Sequence, residues 1–236
     1  MSLKEKFIFN FIQHDRWKYI TDGLVVTLKV TFFAVLLGIA LGIIIAIIRS
    51  TYEKNGSAMR GFSKFVLWVM NLLCKIYLTV IRGTPVVVQL MIMYFVILVS
   101  TRNKILVAVI AFGLNSAAYV AEIFRSGIMS IDQGQFEAGR SLGFNYVQTM
   151  QYIIIPQAFK NVLPALANEF IVLLKETSVS GYVGLMDLTK GGDIIRSRTY
   201  EAFFPLIGVA VIYLVMVMFF TWLVGILERR LRNSER

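Results

Sequence analysis

The chain has 236 residues, 57% of them hydrophobic and only 16% charged. A soluble domain carries roughly a quarter charged residues, so the sequence reads as an integral membrane protein, one unit with no polar segment long enough to fold alone. The net charge of +10 does not indicate nucleic acid, because Lys and Arg are spread along membrane flanks, where they set orientation. A single cysteine, Cys74, and a single histidine, His14, exclude an internal disulfide and a His/Cys metal cluster.

In chain order, residues 1–20 lack the apolar core and cleavage site of a signal peptide. Phe7, Phe9, Phe11, Ile12 and Trp17 lie among charges there, the pattern of an interfacial amphipathic segment. A helix needs about 20 apolar residues to cross a bilayer. Residues 23–48 supply the clearest span, with Lys29 able to snorkel from one end. Residues 104–125 and 152–175 are weaker spans, interrupted by polar side chains, and 201–227 form the last.

Residues 62–100 hold either two helices, split at Arg82-Gly83-Thr84-Pro85, or one crossing with a lead-in. Charge decides between them. Arg49, Lys54, Arg60 and Lys64 mark residues 49–64 as cytoplasmic, and the Arg-rich tail, 229–236, marks the C-terminus likewise. Both hold with five spans, although Lys4, Lys6, Arg16 and Lys18 then fall outside. Pro85 is expected to break the helix between a lead-in over 62–82 and a span proper over 84–100. The whole is an all-α membrane domain, residues 21–228, with five transmembrane helices.

Ionisable or amide groups inside a span need a partner or a watery cavity. Asn115, Tyr119 and Glu122 are spaced by four and three, which puts them on one helical face. Gln157, Asn161, Pro164 and Asn168 make a second stripe, and Gln89 follows Pro85. Either these amides bond helix to helix, or the two stripes face a shared pathway for a polar solute. Glu122 is the sharpest candidate for a solute contact, with an ion pair to Arg125 as its alternative. Pro156 and Pro164 remove backbone donors and kink their span, which suits a buried helix lining a pathway.

Between the third and fourth spans, residues 133–151 form a polar, helix-rich handle. Ser130 or Asp132 can cap a helix starting near Gln133, Gly143 can stop it, and Asn145 can cap a second short helix. Ala138, Gly139 and Gly143 keep the surface low, so a partner's backbone can come close. Glu137 and Arg140 offer charges for docking, or pair with each other at i,i+3.

These residues resemble the EAA signature of ABC importer permeases, in which EAA is followed three residues later by Gly. Here it reads Glu137-Ala138-Gly139 and then Gly143, with Gly in place of the third Ala. Three more blocks continue the likeness to the polar-amino-acid branch, which serves histidine, glutamine, glutamate, arginine and opines. They are Arg82-Gly83-Thr84-Pro85 with Gln89; Ala118 to Glu122 and Arg125 with Gly134-Gln135; and Pro156-Gln157-Ala158 with Pro164, Asn168 and Lys175 to Ser178. The similarity covers roughly residues 20–232.

The resemblance implies the type I ABC importer permease fold and a coupling helix that docks on an ATPase through Glu137, Ala138, Arg140, Leu142 and Gly143. It also implies two ATPase subunits carrying ATP-Mg, a second permease copy or paralogue, an extracytoplasmic amino-acid-binding protein and a place in the bacterial cytoplasmic membrane. Transport would proceed by alternating access. The chain itself has no GxxxxGK[ST] phosphate loop, so it does not bind ATP by that route. The rival reading is an ATPase-independent transporter or channel with Glu122 as its ion site. A static membrane scaffold ranks lower, because it has no use for two polar stripes, and an enzyme lower still, for want of a nucleophile–base or metal constellation.

Overall fold

A computed structural model describes residues 2–55 and 59–233; the C-terminal three residues of the expected tail lie outside the described residues. Ten α-helices follow one another: α1 (Leu3–Phe7), α2 (Trp17–Asn55), α3 (Phe62–Gly83), α4 (Val86–Ile92), α5 (Lys104–Met129), α6 (Gln133–Ser141), α7 (Tyr146–Thr149), α8 (Ile155–Glu176), α9 (Leu188–Thr199) and α10 (Phe203–Asn233). No strand occurs among the described residues. Wide helical turns extend α1, α4 and α7 at Ile8–Ile12, Met93–Ile97 and Met150–Ile154. The last of these precedes Pro156, whose missing N–H frees the preceding turn to widen.

Among the described residues four helices are long and apolar enough to cross a bilayer: Trp17–Lys54, Phe62–Gly83, Lys104–Met129 and Phe203–Leu231. The expected span over 152–175 is the 22-residue α8. It is long enough, but Gln157, Lys160, Asn161, Asn168 and Glu169 dilute its apolar character. Within 62–100 the expectation needs correction. The chain does break at Thr84-Pro85, yet the helix of spanning length is α3, and Val86–Ile97 is short. Three charges in α3, Lys64, Lys75 and Arg82, lower its hydropathy without shortening it. The expected tail is not a separate segment either, because α10 runs on to Asn233.

The chain forms two compact units. The first contains the segment ending at Leu36 together with Pro85–Gly113 and Phe170–Leu223. Ile20, Leu188, Ile195 and Val209 make its buried cluster, with Phe11 and Ile212 against it. Gly191 of α9 sits so close to the Tyr19 carbonyl that any Cβ would collide. Before α2, His14 and Asp15 take left-handed φ values of 57° and 54°, and Lys6 and Asn10 both hold Glu201, at 2.9 and 2.6 Å. Asp187 caps α9 by accepting from the Thr189 and Lys190 amides. Burial pushes its carboxyl up to about 6 despite those bonds.

The second unit contains Leu37–Thr84, Leu114–Glu169 and the chain from Val224. Gly38 and Gly42, four apart on α2, face Ser116 and Val120 of α5, with no room for a side chain larger than hydrogen. Val120, Phe124, Val162 and Leu166 form its apolar centre.

Candidate functional site

The handle is built by local chemistry. Asp132 accepts from the Gly134 amide at 2.7 Å and starts α6. At the other end Gly143 has φ +79°, its N–H bonds the Arg140 carbonyl, and the Phe144 N–H bonds that of Gly139. This six-to-one and five-to-two pair is the Schellman stop, and it suits a residue without Cβ. Asn145 and Gln148 then form a reciprocal capping box on α7. The handle is therefore two short helices with a turn between them, rather than one helix over 133–151.

One face of α6 is pinned and the other is free. Phe136 and Gly139 are buried, and a Cβ on Gly139 would meet Thr149 Cγ2 at 2.6 Å and Oγ1 at 2.7 Å. Glu137, Ala138, Arg140 and Gly143 are exposed, as is Leu142 at 70%. Val147 on α7 is 67% exposed. Glu137 and Arg140 do not pair with each other and form no ion pair among the described residues. Arg140, though exposed, borders a cavity beneath the handle, whereas Glu137, Ala138, Leu142 and Gly143 lie on the open side. Two apolar side chains project there, a surface that association can cover.

The stripes fare differently. Glu122 is gripped by Arg49 of α2 and by Arg125, the latter at 3.1 Å, and Glu53 joins both arginines at 3.3 and 3.4 Å. Two guanidiniums thus engage the carboxylate, the ion pairing that stood as the alternative to a solute contact. Arg82 lies over the Tyr119 ring, 5.7 Å from its centroid. Asn115 is buried. Gln157 donates to Gln135 at 3.1 Å and Asn161 to Ser130 at 3.2 Å, so these amides tie α8 to the segment before and within α6. Asn168 is exposed, and its neighbour Glu169 is buried, accepting from Ser116 at 2.8 Å. Gln89 lies in the other compact unit.

Sequence reasoning missed Arg49, Glu53, Glu169 and Thr149. Helical spacing pairs Arg49 with Glu53, but nothing local pairs Arg49 with a residue 73 positions away. No group of three or more His, Cys, Asp or Glu suited to a metal ion occurs among the described residues.

Helices long and apolar enough to span a bilayer, with a capped helix that presents one open face, define a membrane protein with a surface free for a partner. The chain belongs to the family of binding-protein-dependent transport system inner membrane components, whose model matches residues 38–233. It is 37% identical over 229 residues to a putative glutamine transport system permease protein of Rickettsia typhi, covering 96% of this chain and 98% of that one. It is 38% identical over 220 residues to the arginine transport system permease protein of Bacillus subtilis, covering 92% and 94%. A crystal structure of an amino acid ABC transporter with histidines matches at TM-score 0.78 and 43% identity, over 90% of this chain and 94% of that chain. The methionine transporter MetNI in inward-facing conformations, 19% identical, shares the fold at TM-score 0.75.

The chain is accordingly a permease subunit of an ABC importer with the type I permease fold. ATP hydrolysis belongs to a separate subunit, and the family implies an ATPase and a substrate-binding protein as partners in the inner membrane.

Proposed function

We propose that the chain moves polar amino acids, with glutamine and arginine the first to test, as one half of a dimeric pathway driven by an ATPase dimer that binds ATP-Mg. The substrate class is supported by the names of the relatives, which are glutamine and arginine permeases, and by the histidine-containing transporter structure. The observation that carries the mechanism is the open face of α6. Glu137, Ala138, Leu142 and Gly143 stand clear of the fold, with Arg140 exposed at its edge, while Phe136 and Gly139 anchor the same helix from behind. A push on this face moves α6 as a rigid body. Its amide tie from Gln135 to Gln157 passes the motion to α8, the kinked helix that gates the path.

A second permease copy, identical or a paralogue, is supported by α8. Lys160 and Asn168 are exposed on α8, and such polar groups require a partner or water in a bilayer. Asn115, Tyr119 and Asn168, with Gln89, remain the candidates for lining the path; Gln157 and Asn161 act as ties, and Glu122 as an anchor. The arginines near the end of α10 support a cytoplasmic C-terminus. The test is uptake of labelled glutamine and arginine into vesicles holding the complex. ATP-dependent accumulation is expected, and uptake that persists without the ATPase would overturn the reading.

A further inference from the structure

A cavity of about 430 Å³ lies beneath the handle, lined by Glu53, Lys54, Gln133, Phe136, Arg140, Tyr146, Thr149 and Met129. Its charges do not cancel. Glu53 is the only carboxylate among these residues, and both its oxygens are engaged by Arg49 and Arg125. Lys54 forms no ion pair among the described residues; its ammonium rests on the Phe136 ring, 3.2 Å from the centroid. Arg140 is likewise without an ion pair there. Two cations therefore face the space with no protein anion to balance them.

The remaining polar groups are donors. Thr149 is 2% exposed and its hydroxyl has no hydrogen-bond partner, an arrangement that costs free energy unless something fills it. Burial pushes the Tyr146 phenol above its ordinary value, which keeps it a neutral donor. Gln133 adds an amide.

From this arrangement we infer an anion site for a phosphoryl group. Two cations, two hydroxyls and an amide match an anion with three terminal oxygens better than they match a planar carboxylate. The cavity also sits where α2 and α5 end, the level at which a lipid headgroup meets the cytoplasmic face. The phosphoryl group could come from an anionic phospholipid or from free phosphate, and both offer the same oxygens. Its occupancy would brace α6 from behind, so that the open face meets the ATPase in a fixed pose.

The experiment uses the full chain in neutral detergent and in phosphatidylcholine vesicles, with the unfolding midpoint as readout. One arm adds inorganic phosphate, with chloride at equal ionic strength as control. The other replaces part of the phosphatidylcholine with phosphatidylglycerol. A rise in midpoint with either ligand, lost in Lys54→Gln, supports the site, and which arm responds identifies the source. Binding of inorganic phosphate, followed by 31P NMR, should weaken about tenfold in Lys54→Gln. Thr149→Val, nearly isosteric, provides a second variant that keeps the fold and should weaken binding several-fold. No midpoint change in either arm, or equal changes in wild type and Lys54→Gln, overturns the inference.

Discussion

Replacing Gly139 with alanine separates the rigidity of the handle from its surface chemistry. Gly139 faces inward, so the exposed residues Glu137, Arg140 and Leu142 stay unaltered. The new Cβ would stand 2.6 Å from Thr149 Cγ2, 2.7 Å from Oγ1 and 3.2 Å from Cβ. The first two distances are shorter than van der Waals contact allows, so α6 must tilt or α7 must shift. Overpacking of this kind costs about 1–3 kcal/mol. Alanine returns up to about 1 kcal/mol through its better helix propensity. The net loss, up to about 2 kcal/mol after the full gain, is too small to unfold the chain but at its upper end large enough to let the handle swing. ATP-driven uptake should fall about tenfold while membrane insertion and solute-independent ATP hydrolysis persist. Thr149→Ala removes both offending atoms, and the double variant should recover most of the lost uptake. Full uptake in Gly139→Ala alone would refute the claim that close packing behind α6 transmits force.

Four further outcomes are expected. Gly143→Pro abolishes uptake, because proline cannot adopt φ +79° or donate to the Arg140 carbonyl; normal uptake in a correctly inserted variant would contradict this. Glu122→Gln lowers the unfolding midpoint, since Arg49 and Arg125 lose their charge partner at a cost of about 1–3 kcal/mol. A change in amino-acid selectivity at unchanged midpoint would return Glu122 to the pathway. Asp187 takes up a proton on folding below about pH 6, because its folded carboxyl titrates near 6, above its ordinary range. Stability therefore falls as pH rises from about 4 to about 7, by about 3 kcal/mol, and Asp187→Asn flattens the profile while keeping the cap; an unchanged slope of midpoint against pH in that variant would remove Asp187 as the cause. Lys6→Ala removes one of the two groups that hold Glu201, and because Asn10 still donates to that carboxylate and the Lys6 side chain is 41% exposed, stability should change by less than about 0.5 kcal/mol; a large drop would mean the N-terminal segment does more than rest on α10.

What could be read from the sequence was local. Asp132, Gly143 and Asn145 act on residues two to five positions away, and turn chemistry at that range needs no tertiary structure. The break at Pro85 was legible for the same reason, since proline acts on its own turn. The length before the break was legible too, but which piece is long and apolar enough to cross was not, because the choice rested on counting loop charges rather than on the helices themselves. The polar stripes misled in a different way. Spacing says which residues share a face, but not what that face meets, and Gln157 and Asn161 meet Gln135 and Ser130. Arg49 could not be assigned to Glu122 from spacing, because the pair joins two helices far apart in sequence. Thr149 carried no motif at all; its roles come from the approach of Gly139 and from the cavity that it lines.

The most direct measurement is ATP-dependent uptake of labelled glutamine or arginine by the reconstituted complex carrying Glu137→Lys with Leu142→Asp. Both side chains are exposed, so the fold and membrane insertion should survive. Uptake is predicted to be abolished, together with stimulation of ATP hydrolysis by the binding protein. Uptake at the wild-type rate would contradict the assignment of the open face of α6 as the surface that receives the ATPase.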